Sequence, residues 1–62
     1  MILDAEASRG RSLVEALTQA ASGGARLFQY RDKTSSALEM YRQAVRLRRA
    51  AADAGAIFLV ND

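Results

Sequence analysis

The chain has no cysteine and no histidine. Their absence excludes disulfides, thiolate catalysis, zinc sites of the usual ligand types and any Ser-His-Asp triad. A metal ion would have to be a hard cation held by oxygen ligands, which favours magnesium. Long apolar runs are missing as well. The longest covers only residues 56–60, far short of the ~20 residues a membrane-spanning helix needs. Met1-Ile2-Leu3 runs straight into Asp4, which is not the form of a secretory signal. The expectation is a cytoplasmic protein with no membrane association. With 62 residues it makes at most one small domain, and chains of this size bury only about 60% of their unfolded surface.

An excess of one charge is also absent. Nine basic residues against seven acidic ones leave a net charge of +2. That balance argues against a nucleic-acid binder, although the pI is near 9.7. The basic residues are arginine with one exception, Lys33.

What is present is an alternation of strand-like and helix-like periods. Ile2-Leu3-Asp4 reads as the tail of a strand, and residues 5–11 as a polar connection. Ser12-Leu13-Val14-Glu15 has the form of a capping box, in which the serine hydroxyl takes a backbone N–H three residues on. Leu13, Val14, Leu17, Ala20 and Ala21 then recur at helical spacing, and Gly23-Gly24 supplies the stop. Residues 25–31 form a second strand. Alternation puts Leu27, Gln29 and Arg31 on one face, with Phe28 and Tyr30 beneath the helices on the other. Ser36-Ala37-Leu38-Glu39 opens a second, longer helix that runs to about Ala54. Met40, Ala44, Leu47 and Ala51 form its buried stripe, and Gly55 suits a left-handed stop. Residues 56–60 are apolar throughout, as in a parallel strand covered on both faces, and lead into Asn61-Asp62.

Strand, helix, strand, helix, strand is an α/β pattern with a parallel sheet. Right-handed crossovers put both helices on one face, which leaves Leu27, Ile57 and Leu59 bare on the other. A closed β/α barrel would cover them, but such barrels have eight strands and about 250 residues. The chain therefore reads as a βαβαβ fragment of a TIM (β/α)8 barrel. Two polar clusters mark the strand ends: Gln29-Tyr30-Arg31-Asp32-Lys33 and Asn61-Asp62. An amide, two cations and a carboxylate at one end of neighbouring strands suit an anionic substrate carried with a divalent metal.

These two clusters, in this order and at this separation, resemble the thiamine phosphate synthase family. In that family the second strand ends in Gln-x-Arg-x-Lys and the third in Asn-Asp, and Ile2-Leu3-Asp4 is similar to the end of its first strand. The resemblance implies that residues 1–62 are the amino-terminal portion of a single barrel domain. It implies a transferase of thiamine biosynthesis that couples hydroxymethylpyrimidine diphosphate to a thiazole phosphate and releases pyrophosphate. Its partners would be these small molecules, and its cofactor Mg2+. Carried over by residue, Gln29, Tyr30, Arg31, Asp32, Lys33 and Asn61 fall in the substrate-binding segments. Arg31 and Lys33 would be the catalytic cations that stabilise the leaving group, and Asp62 a metal ligand. The 62 residues alone are expected to be inactive, and to self-associate or need the rest of the barrel.

Other readings stay open. The Arg31-Asp32-Lys33 cluster also fits a solvated turn, and Asn61-Asp62 a helix cap or turn. Asp4 suits a structural turn. Arg42, Arg46 and Arg49 line one side of the second helix and fit a solvated face. A tautomerase-like relative on the same barrel is one alternative for the whole chain. A small Ala/Arg-rich helical module that binds a protein or a polyanion is another.

Overall fold

A computed structural model describes residues 1–8 and 12–61. Three strands form one parallel sheet in the order β1 (Ile2–Asp4), β2 (Leu27–Arg31), β3 (Ile57–Asn61). Between them run α1 (Ala5–Ser8), α2 (Leu13–Ser22) and α3 (Ala37–Asp53).

The helix boundaries follow local chemistry. Ser12 and Ser36 sit in extended backbone, and each hydroxyl accepts the N–H of the glutamate three residues on, at 3.2 Å. Each hydroxyl thereby satisfies one of the donors that a helix start leaves orphaned. Both C-termini close in the same way. The N–H of Ala25 donates to the Ala20 carbonyl and that of Ala56 to the Ala51 carbonyl, while Gly24 (φ 111°) and Gly55 (φ 70°) take the positive φ this closure requires.

One short helix departs from the expected polar connection over residues 5–11. Asp4 Oδ1 accepts the N–H groups of Glu6 at 2.9 Å and Ala7 at 3.3 Å, and this carboxylate cap turns Ala5–Ser8 into α1. Asp4 thus has the structural turn role. The remainder of that connection, residues 9–11, lies outside the described residues.

The core lies on one face of the sheet. Leu3, Phe28 and Tyr30 from the strands meet Leu13, Leu17 and Ala21 of α2 and Leu47 and Ala51 of α3, all buried. Met40 and Ala44 pack against this cluster half-buried, so the α3 stripe is deepest in its second half. Among the described residues the opposite face carries no helix. Ile2, Leu27, Ile57 and Leu59 are exposed there, Ile57 to 63%. β3 is therefore covered on one face rather than two. No helix among the described residues is long and apolar enough to cross a membrane.

Candidate active site

Parallel pairing fixes which side chains stand side by side, because register partners point to the same face. Leu27 and Ile57 form the lowest row on the helix-free face. Ile2, Gln29 and Leu59 form the next, and Asp4, Arg31 and Asn61 the row at the carboxyl ends. The face therefore changes from apolar to polar along the strands. The Asn61 side-chain amide donates to Gln29 Oε1 across one row, a long contact of 3.5 Å. Gln29, Arg31 and Asn61 are thus brought together from β2 and β3, and Arg31 is exposed. Lys33, also exposed, lies two residues past the end of β2. The carboxyl ends of the strands are where β/α barrels carry their sites.

Tyr30 and Asp32 are placed differently from their neighbours. Tyr30 is only 1% exposed and points into the helical side of the sheet, where its ring lies 6.5 Å from that of Phe58 at 22°. Its hydroxyl donates to Asp32 Oδ2 at 2.6 Å. Asp32 Oδ1 accepts the N–H of Ser35 at 2.9 Å, and the N–H and hydroxyl of Thr34 at 3.0 and 3.3 Å.

The titration of both groups follows from these contacts. Burial works to raise the Asp32 carboxyl. The side chains of Ser35 and Tyr30 and the N–H groups of Ser35 and Thr34 outweigh it, and hold the carboxyl well below the usual carboxylate range. For Tyr30 the effects act together: burial first, then the hydrogen bond to Asp32 and its charge, push the phenol well above its ordinary range. Thr34 and Ser35 did not stand out in the sequence. The signal for them is Asp32 followed at two and three residues by Thr and Ser, a spacing that favours a carboxylate folding back on its own backbone.

Asp62 lies outside the described residues. Among the described residues no three Asp, Glu, His or Cys side chains cluster to hold a metal. Magnesium commonly takes one or two protein carboxylates and completes its shell with water and substrate phosphates. Of the described carboxylates at the strand ends, Asp4 caps α1 and Asp32 is engaged within its own turn, so the expected metal ligand is the one the sequence places at Asp62. Arg42 and Arg46 are elsewhere, exposed beside a cavity of about 400 Å³ on the helical side that Tyr30, Asp32 and Ser35 also line.

A parallel sheet with its helices on one face and polar residues gathered at its carboxyl edge is the βαβαβ arrangement from which β/α barrels are built. The particular family follows from comparison with known proteins. The family model described as "Thiamine monophosphate synthase" matches residues 1–62, and the chain belongs to that family. Among curated relatives, a thiamine-phosphate synthase of Shouchella clausii is 47% identical over 53 residues, 86% of this chain and 25% of that protein. Those of Natronomonas pharaonis and Methanoculleus marisnigri are 42% and 39% identical over all 62 residues, each match covering 29% of the relative. The chain thus spans between a quarter and a third of the length of these relatives. No solved structure matches.

Proposed function

We propose that this chain supplies the pyrimidine-diphosphate half of a thiamine phosphate synthase site, as the amino-terminal portion of a barrel domain acting in the cytoplasm. The observation that carries the reading is the β2–β3 register. It sets Gln29, Arg31 and Asn61 on one face at the carboxyl ends of adjacent strands, with Lys33 just beyond.

In this reading the substrates are hydroxymethylpyrimidine diphosphate and a thiazole phosphate. The bond between the pyrimidinylmethyl carbon and the diphosphate oxygen breaks, and the thiazole nitrogen forms a new bond to that carbon. Negative charge grows on the departing pyrophosphate. Arg31 and Lys33 are cations at that place, and charge stabilisation there lowers the barrier more than it tightens ground-state binding. Gln29 and Asn61 hydrogen-bond and orient the pyrimidine diphosphate. Magnesium, held through Asp62 and the phosphate oxygens, would supply further charge neutralisation. A reaction of this kind calls for positioning and electrostatics rather than a protein nucleophile, so a chain without cysteine or histidine suits it.

The test is calorimetric titration of the chain with hydroxymethylpyrimidine diphosphate. Binding is expected with magnesium, should fall on chelation, and should weaken on Arg31→Ala. Binding that ignores both magnesium and Arg31 would remove the reading. Salt-sensitive polyanion binding indifferent to Arg31 and Lys33 would point to a helical interaction module instead.

A further inference from the structure

Asp32 stands in sequence between the two cations proposed to hold the diphosphate, yet its oxygens are engaged inside the turn. One accepts the Tyr30 hydroxyl at 2.6 Å, and the other accepts from Thr34 and Ser35. Tyr30 comes from the opposite face of β2 to Arg31 and is fixed by burial among core side chains. A rigid ring in the core is thus tied, through one carboxylate, to the exposed turn that carries Lys33.

We infer that Tyr30 and Asp32 are positioning residues for the diphosphate-binding cations: the Tyr30 hydroxyl anchors the Asp32 carboxylate, the carboxylate folds residues 32–35 back on themselves, and Arg31 and Lys33 are held in place on either side of it. This inference rests on the diphosphate reading and replaces direct substrate contact by these two residues with an indirect role.

Electrostatics gives the inference a distinctive sign. A carboxylate beside a cationic anion site repels the incoming anion, so removing its charge should strengthen binding if charge were its whole influence. Positioning predicts the reverse. Without the carboxylate the turn loosens, and the two cations must be ordered anew each time the anion binds.

The probe is inorganic pyrophosphate with magnesium, titrated into the chain at a temperature where circular dichroism shows each variant folded. Tyr30→Phe, which keeps the ring in the core, is expected to weaken binding about fivefold, the net worth of one typical hydrogen bond. Asp32→Asn should weaken it at least as much. Tighter or unchanged binding by Asp32→Asn, or Tyr30→Phe binding like the unmodified chain, overturns the inference. If Arg31→Ala still abolishes binding in that case, the diphosphate reading stands without it. An unmodified chain that binds no pyrophosphate, or Arg31→Ala binding as well as the unmodified chain, overturns both. Should Asp32→Asn fail to fold, Tyr30→Phe decides alone.

Discussion

Tyr30 and Asp32 belong to one short polar cluster in the sequence, but the fold divides them from their neighbours by the alternation of β2. Gln29 and Arg31 face the helix-free side, and Tyr30 faces the core. The spacing of residues 27–31 made that division legible. The destination of the Asp32 carboxylate was not legible, because a residue just past a strand end is oriented by turn geometry rather than by periodicity. Two pH effects follow at this scale. The folded state holds Asp32 below its ordinary range, so its contribution to stability is present above the unfolded value of about 3.9 and is lost as the pH falls from there toward the folded value. Thermal midpoints measured from pH 5 to pH 2 should therefore fall more steeply for the unmodified chain than for Asp32→Asn. Tyr30 is shifted up, so its contribution is complete below about pH 10 and declines as the pH rises beyond it. Tyr30→Phe should lose about 1 kcal/mol at neutral pH and show none of that alkaline decline. Chemical denaturation at pH 7 and pH 11 checks both expectations.

Among the elements, α2, α3 and the glycine turns that follow them were the most legible, because each boundary has a local cause. Ser12 and Ser36 cap as their Ser-x-x-Glu patterns require, and Gly55 takes the left-handed turn that a side chain disfavours. The helical turn over Ala5–Ser8 was not legible. Four residues give no helical period to read, and its cause is one cap, Asp4. Gly55 offers a clean test of the backbone argument. A β-carbon built there meets nothing within 4 Å, so the cost of Gly55→Ala is conformational and not a clash. The expected loss is about 1–2 kcal/mol, read as a lower thermal midpoint with the far-ultraviolet spectrum preserved. A variant as stable as the unmodified chain would show that the left-handed turn is dispensable.

For the whole molecule, the apolar side of the helix-free face and the polar row at its carboxyl edge are two parts of one design. The first is a surface that needs cover, and the second is the proposed site, which needs a wall. The bare face was legible from the right-handed crossover rule and the odd-numbered apolar positions 27, 57 and 59. How the site is completed was not, since the chain matches only 25–29% of the length of these relatives. Prepared as these 62 residues alone, with Ile2, Leu27, Ile57 and Leu59 facing water, the chain is expected to associate as concentration rises. The double substitution Ile57→Lys and Leu59→Lys should reduce that association in sedimentation velocity, and an equally associated variant would remove the bare face as its cause. The central claim, that these residues form the pyrimidine-diphosphate half of a synthase site, is tested most directly by a hybrid. Residues 1–62 would replace the matching segment of the Natronomonas pharaonis relative, and thiamine phosphate formation would be measured. The account predicts an active hybrid in which Arg31→Ala lowers turnover about a hundredfold or more. A folded hybrid that forms no product, or one indifferent to Arg31, would contradict it.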